Sequence, residues 1–432
     1  MSKSILINGL ILTVNANNDC IDNGAVAFEN GKITYVGKVP EDLSKYDEVI
    51  DAQGNYVLPG LVNTHGHTPM SLLRGYADDL PLQQWLEEKM WPMEGQYTPE
   101  HTKWGAYLSI VEMLRTGTTT FVDMYDNMDE VAKAVEVSGI RARLSRGIIG
   151  FGSEESRQEK LEESVQFVQE WEQQANGRIT TMLSPHAPYT CPPEYIEQIA
   201  VKSAEIGVPV HIHMSETQFE VEQNVKDFGE RPVKHLQKLG VFDRPTLVAH
   251  AVHVNDEEID ILADYDVKVS HNPISNLKLG SGVAPVPKML EKGVTVSLAT
   301  DSSASNNNLD LFEELRQVAL LHKGIHNDPT LISADQALRM ATVEGADAVW
   351  LKDQIGSLEV GKEADFIVID AAQAFFHPKN DPVSHVVYSA SGRDVKDVFV
   401  QGKPVVRNRE CLTVDEEKVI YEANRMFQLL KQ

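Results

Sequence analysis

Between residues 57 and 301, short runs rich in β-branched and apolar residues alternate with amphipathic stretches of helical length. This is the signature of parallel βα units, because a parallel strand must be followed by a crossover long enough to return the chain to the same edge. Eight such runs occur: "VLPGLVNTH" (57–65), "TTTFVDMY" (118–125), "RARLSRGII" (141–149), "ITTMLSPH" (179–186), "VPVHIHMSE" (208–216), "TLVAHAVH" (246–253), "VKVSHNP" (267–273) and "VTVSLATDS" (294–302). Eight parallel strands with intervening helices predict a closed (β/α)8 barrel, a TIM-like α/β architecture. Gly117, Gly139, Gly207, Gly240 and Gly293 each fall shortly before a run, where a helix C-terminal glycine belongs. Between two runs, Leu161, Val165 and Val168 share one face of the charged stretch "SRQEKLEESVQFVQEWEQQ".

Both ends of the chain read differently. Residues 1–56 give short alternating strands punctuated by "ENGK" and "AQGN", and residues 361–408 give "ADFIVID", "SHVVYSA" and "VKDVFVQGKPVV". These are hairpin-like β segments without crossover helices. The economical organisation is a composite β domain made of 1–56 plus 361–432, flanking a catalytic barrel of 57–360.

Composition narrows the partners. A net charge of −25 argues against nucleic acid, since binding phosphates requires a basic face. No long apolar run suggests a membrane span, and "MSKSILINGLILTVNANN" lacks the pattern of a signal peptide. Cys20, Cys191 and Cys411 are far apart and show no CxxC spacing, which fits unpaired thiols in a reducing cytoplasm. A small-molecule partner is favoured, and the sequence leaves room for a homo-oligomer.

Polar residues gather where the runs end, and active sites of such barrels are built at the carboxyl-terminal ends of the strands. The first run ends in "NTHGH", so His65 and His67 project from the same side of an extended chain. The fifth supplies His211 and His213, the sixth His250 and His253, and the eighth ends in Asp301. A divalent ion such as zinc takes about four ligands, imidazole nitrogen and carboxylate oxygen both being acceptable. Proximity to the strand ends selects His65, His67, His213 and Asp301 as ligands of one divalent ion per chain, with zinc the first choice. His211 lies one layer deeper and reads as a hydrogen-bonded core histidine. Glu216, three residues past His213, can reach over the ion without binding it and shuttle a proton between water and substrate. His250 can orient the attacking water. The fourth run ends in "SPHAPYT", which offers no lysine to bridge two metals, so the site is expected to be mononuclear; His186 takes that strand-end position instead.

"LPGLVNTHGH", "HIHMSE", "AHAVH" and "ATDS", in this order on a barrel flanked by a β domain from both termini, resemble the amidohydrolase superfamily over nearly the whole chain. The stretch "TPMSLLRGYADDLPLQQWLEEKMWPMEG" (68–95) is similar to the 5-methylthioadenosine/S-adenosylhomocysteine deaminases within it. That resemblance implies substrate contacts for Glu94 with ribose hydroxyls, for His186 with the purine and for Arg146 with the homocysteine carboxylate. Such roles suit the side chains, because a carboxylate accepts two hydroxyl hydrogen bonds and a guanidinium grips a carboxylate in bidentate fashion. Without it, Glu94 and Arg146 would read as surface charges. Trp85, Trp91, Met70 and Met93 either line an apolar slot for a thioether or pack between helices.

The expectation is hydrolytic deamination of the adenine ring, with Glu216, His250 and Asp301 as the catalytic groups and Glu216 and Asp301 also touching substrate. Two alternatives stand beside it: a deaminase or chlorohydrolase of guanine, cytosine or an s-triazine, and a non-catalytic barrel scaffold.

Overall fold

The computed structural model describes residues 3–431. The middle of the chain forms two parallel sheets. One holds Leu61–Asn63, Thr118–Tyr125, Arg141–Ile148, Ile179–Thr181 and Ser184–Pro185; the other holds Val210–Met214, Thr246–His250, Lys268–His271 and Val296–Leu298. Backbone hydrogen bonds run between the two at both seams. His211 N donates to Leu183 O at 3.0 Å, and Thr64 N donates to Leu298 O at 3.2 Å. Helices follow most strands, and their apolar faces pack on the sheets: Ile110 and Leu114 of helix Pro99–Arg115 share a core with Leu61 and Phe121. Leu161 and Val168 are buried, with Val165 partly so, in a separate cluster with Ile148, Leu183 and Tyr195, as their spacing requires. The five glycines all adopt left-handed φ between 71° and 88°, the conformation a helix C-terminus favours.

Two of the eight runs are broken. "VLPGLVNTH" divides at Gly60: Tyr56–Pro59 pairs with Phe366–Ile369 and Lys3–Leu12, whereas Leu61–Asn63 pairs with Thr118–Tyr125. A side chain at 60 would bring its Cβ to 2.0 Å from Thr119 Oγ1, so only glycine lets one extended segment pass from sheet to sheet. "ITTMLSPH" splits into Ile179–Thr181 and Ser184–Pro185, both paired with Arg141–Ile148.

A nine-stranded sheet draws on both ends of the chain. Its centre joins them, since Phe366–Ile369 runs antiparallel to Tyr56–Pro59, which lies beside Lys3–Leu12. Phe366 and Phe399 stack there with ring centroids 4.4 Å apart. Met1, Ser2 and Gln432 lie outside the described residues. Two features of the C-terminal segment differ from expectation. "SHVVYSA" is helical over Pro382–Tyr388, because Asp381 accepts from Val383 N and Ser384 N and proline occupies the first turn; these start signals override the β-branched pattern. Helix Glu416–Leu429 packs through Val419, Ala423 and Met426 on Leu72, Trp104 and Val111, and so sits with the central segment rather than on the nine-stranded sheet.

Arg141 ties the two layers together. It is buried, its Nε donates to Asp365 Oδ2 at 3.0 Å, and Asp365 Oδ1 accepts from Gln401 N at 2.7 Å. Arg141→Met would remove the ion-pair partner of that buried carboxylate and leave it only the charge of Arg178, a loss of about 3 kcal/mol by urea denaturation. An unchanged midpoint would show that the pair contributes nothing to the junction.

Candidate active site

The strand ends bring four imidazoles and two carboxylates into one place. His65 and His67 follow Leu61–Asn63, His213 lies within Val210–Met214, His250 ends Thr246–His250, and Asp301 follows Val296–Leu298. His250 and Asp301 sit at left-handed φ of 77° and 60°, a conformation non-glycine residues rarely hold unless their surroundings enforce it.

Hydrogen bonds fix how each ring is turned. His67 Nδ1 donates to Met124 O and His213 Nδ1 donates to His186 O, both at 2.7 Å. His211 Nδ1 donates to Leu247 O at 2.9 Å, which leaves its Nε2 to accept from His65 Nδ1 at 2.9 Å. His211 is therefore the core histidine expected of it, and it orients His65. In all three of His65, His67 and His213 the Nδ1 carries the proton and Nε2 presents a lone pair. Those lone pairs converge. His67 Nε2 and His213 Nε2 are 3.3 Å apart, and Asp301 Oδ1 lies 3.4 Å from His65 Nε2 and 3.5 Å from His67 Nε2. His65 Nε2 is buried without a hydrogen-bond partner. Three acceptor nitrogens and a carboxylate oxygen facing one another with no proton between them call for a cation. This donor set suits a divalent metal of the zinc type, and the ligand atoms of His65, His67 and His213, and those of His65, His250 and Asp301, lie within 4.8 Å of one another.

Second contacts leave this arrangement little freedom. Asp301 Oδ2 accepts from Ser275 Oγ at 2.7 Å and Ser305 Oγ at 2.9 Å, so Oδ1 alone is turned to the cluster. Burial pushes the Asp301 carboxyl up, but the surrounding His65, His67 and His250 imidazoles outweigh that and hold it well below the usual carboxylate range. Burial pushes His65 and His213 well below the usual imidazole range, consistent with neutral rings.

Glu216 stands just off the strand, its Oε2 3.6 Å from His250 Nε2. His250 Nδ1 in turn faces Asn276 Oδ1 at 2.8 Å. Burial, followed by the Asp301 charge, pushes the Glu216 carboxyl up to about 8, so it keeps a proton near neutrality. The turn bearing it is pinned by Glu220, whose two oxygens accept from Ser215 N and Glu216 N at 2.8 Å each.

A cavity of about 490 Å³ opens over these groups. Its lining includes His67, His213, Glu216, His250 and Asp301, and also Glu94, Arg146 and His186. Glu94 accepts from Tyr125 Oη at 2.5 Å, and burial raises its pKa. His186 Nδ1 faces Thr190 Oγ1 at 3.1 Å, and burial drops the ring to about 3. Arg146 is salt-bridged to Asp126 and Glu163. Met70, Trp85 and Trp91 line the cavity, whereas Met93 is buried in a cluster with Met90 and Leu82. His253 Nε2 donates to Ser281 O at 2.6 Å, and His271 is buried away from the cavity lining.

The pattern of the amidohydrolase family matches residues 56–405. The chain belongs to the amidohydrolase family. A 5-methylthioadenosine/S-adenosylhomocysteine deaminase of Halalkalibacterium halodurans is 50% identical to this amidohydrolase over 431 residues, covering 98% of each chain. The crystal structure of an adenosine deaminase from Xanthomonas campestris with bound zinc superposes with a TM-score of 0.95 at 34% identity, covering 99% of this chain and 98% of that one. An atrazine chlorohydrolase from Arthrobacter aurescens complexed with zinc gives 0.91 at 26% identity, covering 98% and 100%.

Sequence reasoning missed several residues of this amidohydrolase's cavity and its supports. Tyr125, Tyr97, Tyr189, Phe151 and Lys160 line it, and Glu220, Ser275 and Ser305 hold its parts in place. The end of "TTTFVDMY" could have announced Tyr125, being a strand end like the others. Thr217 and Glu220 carry the Thr-x-x-Glu spacing of a helix start, but nothing local shows that Glu220 accepts from Ser215 N and Glu216 N.

Proposed function

We propose that this amidohydrolase is a zinc-dependent hydrolytic deaminase of S-adenosylhomocysteine and 5'-methylthioadenosine, giving the inosyl product and ammonia. The supporting observation is a single cavity lined both by the cation-seeking cluster with its Glu216–His250 pair and by Glu94 and Arg146. We read the two parallel sheets as halves of one (β/α)8 barrel over 57–360, a reading supported by the hydrogen bonds at both seams. The nine-stranded sheet then forms the body of a flanking domain from 1–56 plus 361–432, whose last helix, Glu416–Leu429, reaches back onto the central segment. Cys20, Cys191 and Cys411 are free, which supports a reducing, cytoplasmic setting. No helix among the described residues is long and apolar enough to cross a membrane.

His65, His67, His213 and Asp301 would hold the zinc. When bound, the ion supplies a Lewis acid that brings the pKa of a coordinated water to about 7. Asp301, held as the anion, accepts a proton from the attacking water. His250 Nε2 orients that water. Glu216 delivers its proton to the ring nitrogen beside the amino-bearing carbon of adenine, so the ring carries no negative charge as the carbon becomes tetrahedral. Asp301 returns its proton to the amino group so that ammonia leaves, the hydroxyl proton of the tetrahedral carbon passes to the Glu216 carboxylate, and the C–N bond is replaced by C=O. His186, neutral, meets the purine. Glu94 accepts hydrogen bonds from the ribose hydroxyls, its second partner Tyr125 fixing its orientation. Arg146 takes the homocysteine carboxylate.

Ammonia release by zinc-loaded protein should be fastest on the adenosine derivatives and slow on guanine, and chloride release from atrazine should be slow too. Turnover of atrazine or guanine alone would favour the other amino-heterocycle reading. Glu94→Gln should lower kcat/KM for methylthioadenosine by about 10- to 100-fold, mostly through KM, as loss of a charge-assisted hydrogen bond predicts. An unchanged KM would remove Glu94 from the ribose site.

A further inference from the structure

The ion pairs at Arg146 carry more than a resting contact. Asp126 Oδ1 lies 3.1 Å and Glu163 Oε2 2.7 Å from the same guanidinium nitrogen, Nη2. Neither pair engages Nη1 or Nε, so part of the donor fork is outside both. Arg146 and Asp126 line the cavity. The other lysine or arginine in the lining, Lys160, is committed elsewhere, donating to Ile149 O at 2.9 Å. The remaining lining carboxylates are also engaged, Glu94 with Tyr125 and Glu216 and Asp301 around the histidines.

A substrate anion arriving at Arg146 therefore meets two carboxylates already gathered on that guanidinium. A tail bearing only a carboxylate raises the local negative charge, and like charges brought together are unfavourable. A tail that also bears an ammonium offsets it. An α-amino acid places the two charges on one carbon, a spacing matched by a guanidinium flanked by carboxylates.

We infer that Asp126 receives the α-ammonium of an amino-acid tail while Arg146 takes its carboxylate, Glu163 adding its charge through Arg146 from outside the cavity lining, which makes this rim a receptor for zwitterions. The inference rests on the proposed deamination of S-adenosylhomocysteine and adds the residue that recognises the other half of its tail. Methylthioadenosine, whose tail is uncharged, makes no use of the receptor. The side chains of Asp126 and Glu163 are 65% and 51% exposed, so screening keeps the effect modest and salt-dependent.

The test compares kcat/KM for S-adenosylhomocysteine with that for its 4-thiobutanoate analogue, which keeps the carboxylate and lacks the α-amino group. Wild-type protein at low ionic strength should prefer the amino acid by about tenfold. In D126N/E163Q that preference should shrink to about twofold or less, with the absolute loss falling on S-adenosylhomocysteine. A variant that loses equally on both substrates shows that the two carboxylates only position Arg146, which overturns the inference. So does a wild type with no preference. Because the readout is a ratio within each protein, a general loss of folded enzyme does not mimic it. Failure of the wild type to deaminate any adenosine derivative would sink the parent reading itself, and is told apart by its loss of methylthioadenosine turnover.

Discussion

Glu216→Gln should lower kcat for methylthioadenosine by about 10³-fold, within the range that a positioned proton-transfer group contributes, while the purified variant still binds its metal. The amide keeps the shape of the side chain and cannot give up or take a proton. The demand on this group is set by its surroundings: it is buried, 3.6 Å from His250 Nε2, and its carboxyl is pushed up to about 8. A neutral acid beside an acceptor nitrogen is poised to donate, and the conjugate base left behind is poised to collect the next proton. Steady-state rates with metal analysis on the same preparation check this. More than about a tenth of wild-type activity in a metal-replete variant would take Glu216 out of proton transfer.

His213→Ala should abolish zinc binding and activity together, and its effect on stability should depend on the metal. In the wild type, lone pairs of His67 and His213 face each other at 3.3 Å beside the Asp301 carboxylate, all with little access to water. That arrangement is unfavourable without a cation and favourable with one. Zinc at 1,000 times its dissociation constant should stabilise the wild type by about 4 kcal/mol, whereas the variant should gain much less. Thermal unfolding of both proteins, chelated and zinc-loaded, reads the difference. Equal zinc-dependent shifts would place the metal at other residues.

What could be read from the chain follows from how local each determinant is. His65 and His67 are two apart on an extended segment, and His213, His250 and Asp301 lie toward the ends of β-rich runs, so the expectation that parallel βα units gather polar groups at strand ends points to all five, and the structure clusters them. The deeper position of His211 follows from the same alternation. Other features depend on contacts between distant segments. Glu94 finds Tyr125 across 31 residues of chain, and Arg141 finds Asp365 across 224. The pairing of Arg146 with Asp126 and Glu163 is equally invisible to periodicity, and it changes what that arginine can recognise. "SHVVYSA" misleads because it holds Val386, Val387 and Tyr388 while its start signals, Asp381 and Pro382, lie just before it and decide the outcome. Gly60 shows the converse: one residue with no side chain lets a single apolar run serve two sheets.

The most direct measurement is the ultraviolet difference spectrum of S-adenosylhomocysteine and methylthioadenosine incubated with zinc-loaded protein, with ammonia measured in parallel. Conversion of an adenine to a hypoxanthine spectrum with one ammonia per nucleoside is the predicted result. An unchanged spectrum from protein holding about one zinc per chain would contradict deamination of adenosine derivatives.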